Sequence, residues 1–172
     1  MLLKQAVVDA INKQIIEEFA ASDQYLAIAF YFDRETLPEL CGYFHAQAQE
    51  EYGHAMKMLQ YLSDAGAHPI IPATPQPKNH FETAEECVQL ALDQELKVTR
   101  QINELVALAA QENDYLTREF LQWFVMEQLE EVSSMSDLLN VVQRAGEGNL
   151  FRVEEFLSRN PHAEAAGGGE GQ

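Results

Sequence analysis

Apolar residues recur at alternating three- and four-residue spacing through four long stretches of the chain, the signature of helices that bury one stripe each. The first stretch runs from about Lys4 to Asp33 without a Gly or Pro; Pro38 opens the second, which reaches Gly66. Residues 66 to 82 hold four prolines in GAHPIIPATPQPKNHFE and predict no regular element. Thr83, with Glu86 three residues on, then starts a third stretch in a capping-box pattern. A fourth begins near Asn113 or Asp114, continues to about Arg144 and is ended by Gly146 and Gly148. A short amphipathic segment, LFRVEEFLSRN, precedes a small, polar tail, AEAAGGGEGQ, that is expected to be disordered.

Helices of this length span about 40 to 45 Å at ~1.5 Å per residue, which suits a four-helix bundle. The first and second stretches, like the third and fourth, are joined by short connections that favour antiparallel neighbours. The proline-rich segment is long enough, at up to ~3.3 Å per residue, to run the length of the bundle. The expected fold is therefore all-α, with a long crossover between helices two and three and a short fifth helix, in one domain over residues 1–160 followed by the tail at 161–172.

Each predicted buried stripe is interrupted near its midpoint by a carboxylate. The first reads Val8, Ile11, Ile15, Glu18, Ser22, Tyr25, Ala29, Phe32, and the second Cys41, Phe44, Ala48, Glu51, Ala55, Met58, Leu62. The third reads Val88, Ala91, Glu95, Val98, Ile102, Leu105, Ala109, and the fourth Leu121, Phe124, Gln128, Glu131, Met135, Leu138, Val142. In a bundle of equal helices the midpoints share a layer, so Glu18, Glu51, Glu95 and Glu131 should converge, with Gln128 one turn from Glu131. Burying an unpaired carboxylate costs several kcal/mol, roughly, and four together also repel one another. No Lys or Arg occupies these central positions. His54 lies three residues after Glu51 on the same face, and two divalent cations would cancel the charge of the four carboxylates. Such carboxylate-rich ligation with one histidine suits iron or manganese and excludes a thiolate-type structural zinc.

Composition narrows the function further. The chain of 172 residues carries 28 Asp plus Glu against 11 Lys plus Arg, a formal charge of -17. Nucleic-acid binding and docking on anionic membranes both depend on basic residues and are disfavoured. Cys41 and Cys87 form no CxxC pair and suggest no disulfide framework; Cys41, on a stripe, is expected to be a small buried hydrophobe. Of the remaining histidines, 45, 68, 80 and 162 have no partner at ligand spacing and are expected at surface or loop positions. The first residues reach Asp9 and Lys13 too early for a signal-peptide apolar stretch, and nowhere do 18 apolar residues run together. A cytoplasmic location is expected, compatible with an organelle-targeting leader cleaved upstream of this sequence.

The stretch from Asn12 to Tyr25, the block HAQAQEEYGH ending at His54, KVTRQINEL after Glu95, and FLQWFVMEQLEE together resemble the non-haem ferritins of the bacterial type over nearly the whole chain. The Glu-x-x-His arrangement is a general feature of ferritin-like di-iron bundles. The resemblance implies that Glu18, Glu51 and His54 hold one iron and that Glu95 and Glu131 hold a second. Glu51 would bridge them and Gln128 border the second. It further implies a third nearby iron position at Glu50, Glu127 and Glu130, sharing Glu131, and a tyrosine, Tyr25, able to supply an electron. Trp123 would neighbour the site as packing. Tyr52 stands where haem-binding bacterioferritins carry their haem-ligating Met, and Gln128-x-x-Glu131 replaces their second Glu-x-x-His, so no haem is expected. The segment 149 to 159 corresponds to the fifth helix of cage-forming ferritins, while smaller DNA-protecting relatives often carry basic tails that this chain lacks. The implied activity is that of a ferroxidase, oxidising Fe(II) with dioxygen and storing the product as ferric oxyhydroxide inside a 24-subunit homo-oligomeric cage.

Overall fold

A computed structural model describes residues 2–161, and within them the chain is helical with no strand. The long helices are α1 (Gln5–Arg34), α2 (Pro38–Asp64), α3 (Ala84–Gln111) and α4 (Tyr115–Ala145); a 3-10 turn (Glu147–Asn149) leads into the short α5 (Phe151–Arg159). The expected bundle, crossover and fifth helix are all present. The tail, from His162 onward, lies outside the described residues.

Helix ends follow the local chemistry. Pro38 at the first turn of α2 surrenders no needed amide. The Thr83 hydroxyl accepts from Glu86 N at 3.1 Å, and the Glu86 carboxylate accepts from Glu82 N at 2.8 Å, one residue earlier than a standard capping box would reach. Asp114 caps α4 through Thr117 N at 2.9 Å. Gly146 ends α4 at φ 69, a conformation that glycine adopts without strain. The first turns of α2 and α3 receive additional acceptors from the far end of the chain. Glu154 accepts from Glu39 N and Leu40 N at 2.7 and 3.0 Å, and Glu147 from Ala84 N and Glu85 N at 3.1 and 3.2 Å.

The crossover is strapped along α1 by side chains that a pattern of apolar residues cannot reveal. Asn12 accepts from Ile70 N at 2.9 Å, Thr74 donates to Asp23 at 2.7 Å, and Gln24 exchanges two hydrogen bonds with the Lys78 backbone, each 2.9 Å. It therefore travels from the α2 end of the bundle to the start of α3, as its length requires. α1 packs on α2 and on α3, α3 packs on α4, and α5 closes one end against α2 and α4.

The core is split into two apolar halves. One is built around Tyr25, Phe32, Phe44, Val88, Met135 and Leu157, the other around Ile11, Ile15, Met58, Ile102, Leu121 and Phe124. The predicted stripes are buried along their length with two exceptions. Ser22 is half-buried and donates to Ala48 O at 2.7 Å. Cys41 is half-buried rather than buried, because the second stripe enters the core through its neighbour Leu40.

Candidate metal centre

Between the two apolar halves lies a polar layer of buried residues from all four long helices: Glu18, Glu51, His54, Glu95, Gln128 and Glu131. The midpoint carboxylates thus meet in one layer, as equal helix lengths demand. Ligand atoms of Glu18, Glu51 and His54 approach within 4.8 Å of one another; so do those of Glu51, Glu95 and Glu131, and those of His54, Glu127 and Glu131. Glu51 belongs to the first two groups and lies between them.

Hydrogen bonding differs sharply among these carboxylates. Glu95 has both oxygens engaged: the Tyr25 hydroxyl donates to Oε1 and Gln128 Nε2 donates to Oε2 at 3.1 Å. Gln128 also donates to Thr99 Oγ1 at 3.1 Å and Glu95 O at 3.2 Å. Glu18 has one oxygen engaged, Oε1, by Gln14 Nε2 at 2.8 Å. Glu18 Oε2, both oxygens of Glu51 and His54 Nδ1 are buried without a hydrogen-bond partner among the described residues. These orphans face one another, with His54 Nδ1 3.4 Å from Glu51 Oε2 and 3.8 Å from Glu18 Oε2. Buried polar atoms without partners are rare and costly. A cation between them satisfies all of them at once, so the donor set fits a hard or borderline divalent metal.

The electrostatics agree with that fit. Burial first, then the charge of Glu95, raises Glu51 well above the ordinary carboxylate range. Burial likewise raises Glu95, although the Tyr25 and Gln128 hydrogen bonds oppose it. Burial and then Glu95 push Glu131 up to about 9. Burial disfavours a charged His54, but the negative charge of the facing Glu51 and Glu18 carboxylates outweighs it and raises the imidazole well above its usual value. Burial, followed by Glu95 and Glu51, lifts Tyr25 far above a free phenol. Without metal, the shifts at Glu51, His54, Glu95 and Glu131 all favour the protonated forms.

The expected third-site residues lie on the rim: Glu50 and Glu127 are half-buried and Glu130 is exposed. Gln47 donates to Glu50 at 2.8 Å, and Glu127 Oε1 lies 4.0 Å from His54 Nε2. Burial raises Glu127 above its ordinary value. Trp123 stands against the site, its ring 5.4 Å from that of His54, with Lys57 Nζ 3.5 Å above its face. Tyr52 is exposed and packs on Phe19. His68 and His80 are exposed, and His45 is half-buried against Phe30; His162 lies outside the described residues.

Gln14, Gln47 and Thr99 were not anticipated from the sequence. Gln14 precedes Glu18, and Thr99 follows Glu95, by four residues, a spacing that places them one turn from a ligand; that signal was available, but glutamine and threonine beside an acid are too common to stand out.

A family model for the ferritin-like domain matches residues 8–145. The chain belongs to the ferritin family. It is 46% identical over 156 residues to ferritin BfrB of Mycolicibacterium smegmatis, covering 91% of this chain and 86% of that protein. It is 36% identical over 158 residues to the bacterial non-heme ferritin of Staphylococcus aureus, covering 91% and 95%. Among solved structures, the open pore ferritin of Archaeoglobus fulgidus superposes with a TM-score of 0.87 at 34% identity, over 91% of this chain and 98% of that one. As a ferritin, the chain is an iron-storage protein. None of the helices among its described residues is long and apolar enough to cross a membrane.

Proposed function

We propose that this ferritin is a ferroxidase, taking Fe(II) and dioxygen as substrates at the polar layer and passing Fe(III) to a ferric oxyhydroxide core. The observation that carries the reading is the convergence of buried, partnerless ligand atoms from Glu18, Glu51 and His54 beside the Glu51, Glu95 and Glu131 cluster. Glu18, Glu51 and His54 bind one Fe(II), Glu95 and Glu131 the other, Glu51 serves both, and Gln128 borders the second. Paired Fe(II) ions supply the electrons that reduce dioxygen. The carboxylates fix the two ions close together, neutralise their charge and, as hard oxygen donors, favour the Fe(III) product.

Glu50, Glu127 and Glu130, beside Glu131, form a third iron position or exit route toward the mineral. Tyr25, whose hydroxyl donates to Glu95 Oε1, is placed to supply an electron. With Tyr52 exposed at the position of a haem-ligating Met, the protein works without haem. Residues 1–160 act as one ferritin-like unit, 24 of which close into a cage in the cytoplasm. An oxygenase acting on an organic substrate would need room beside the metals, and there the seams are filled by the fully buried Tyr25, Phe44, Leu121 and Phe124.

Stopped-flow absorbance after Fe(II) addition to the metal-free protein, combined with size analysis, tests this reading. Rapid oxidation by a cage-sized particle is expected. Glu51→Ala or His54→Ala should slow it by about two orders of magnitude or more, since even partners one bond removed from a metal typically contribute 10- to 100-fold. Assembly should persist, and fast oxidation retained in either variant would overturn the site assignment.

A further inference from the structure

We propose that Gln14 is a positioning residue for the first metal site, holding Glu18 so that a single oxygen is presented to the cation; this rests on the dinuclear reading above. Gln14 is only 3% exposed, and its Nε2 donates to Glu18 Oε1 at 2.8 Å from one turn earlier on α1. That bond leaves Glu18 Oε2 as the free oxygen, and it is Oε2 that is buried without a partner and faces His54 Nδ1 at 3.8 Å. The two functions of the carboxylate are thereby divided between its oxygens, one anchored to the scaffold and one directed to the metal.

The chemistry of the donor matters. A lysine at position 14 would place a cation against Glu18 and compete with the metal for its charge. A leucine would leave Oε1 buried with no partner and the carboxylate free to turn. An amide orients without neutralising, so the full negative charge remains for the cation. On the far side of the layer an amide also holds a carboxylate, Gln128 Nε2 donating to Glu95 Oε2 at 3.1 Å, although there the Tyr25 hydroxyl engages the other oxygen. Glu51, which contributes to both groups, has no such anchor on either oxygen. The anchored carboxylates belong to one metal position each, and the unanchored one to both.

Cobalt(II) titration of the metal-free protein, followed by visible absorbance and calorimetry, tests the assignment without relying on turnover. The unaltered protein should bind at least two Co(II) per subunit; fewer than two would sink the dinuclear reading itself. Gln14→Leu, which keeps the volume but removes the donor, should weaken one binding step by about 10- to 100-fold, leave the other within about twofold, and change the spectrum of the weakened site. Gln14→Asn, polar but too short to reach Glu18, should repeat that selective loss and provides the test if the leucine variant folds poorly. A purely structural role predicts instead that both steps weaken together with the thermal midpoint. Two unchanged binding steps in both variants, or equal losses at both, would overturn the proposal.

Discussion

At the residue scale, the metal-free layer is a set of groups whose charge has been postponed. Glu131, raised to about 9, and Glu51 and Glu95, also raised by burial, keep protons in the folded chain that the unfolded chain releases near 4.5. Folding thus takes up protons between those limits, and stability must fall as pH climbs through the window. His54 acts in the same direction: its raised value stabilises fully below the unfolded 6.5 and is lost as pH rises through the folded one. Metal-free protein should therefore melt at a lower temperature at about pH 8.5 than at about pH 6, and a divalent cation should remove most of that difference by replacing the protons. Scanning calorimetry with and without Zn(II) checks this; a midpoint that rises with pH in the metal-free protein would contradict it. The buried acids themselves are legible in the sequence because an acid inside an apolar stripe violates the stripe. The Gln14 contact is not, because nothing in the spacing shows that one oxygen of Glu18 is occupied and the other left open.

At the element scale, the four long helices and the crossover follow from periodicity and proline placement, but their ends depend on contacts distant in sequence. Leu40, not Cys41, leads the second stripe because one step along a helix rotates a side chain by about 100°, and three- and four-residue spacings alone do not distinguish neighbouring phases near a terminus. Thr36 ends α1 at φ 60, where a β-branched residue is strained. It is exposed, so Thr36→Asn should add about 1 kcal/mol of stability by relieving a left-handed conformation, raising the thermal midpoint by about 2–4 °C. Glu154 carries the opposite lesson. The N-cap of α2, Leu37, has no side-chain cap to offer, and Glu154 supplies the acceptor. Glu154→Ala should cost about 1 kcal/mol or more, measured as a lowered unfolding midpoint. No local motif could announce this pairing, since the partners sit at opposite ends of the sequence.

At the scale of the whole molecule, the formal charge of -17 acquires a division of labour. A few acids face inward in the buried layer, and under the proposed function the remainder give a negative field that draws Fe(II) toward the protein. Raising ionic strength should therefore slow Fe(II) uptake at low iron concentration while leaving oxidation of already bound iron unchanged; stopped-flow runs at two salt concentrations separate the phases, and a salt-independent uptake rate would remove the steering role. The caps formed by Glu147 and Glu154 have a consequence for the order of events during synthesis. The opening turns of α2 and α3 emerge from the ribosome long before the carboxylates that complete them, so the bundle can assemble its stripes while those amides still bond to water. Arrival of the last segment then locks turns made much earlier. A polypeptide released before Glu147 still contains the residues of every long helix and of the buried layer, yet its amides at Glu39, Leu40, Ala84 and Glu85 should exchange with deuterium faster than in the finished protein, marking which molecules were never completed.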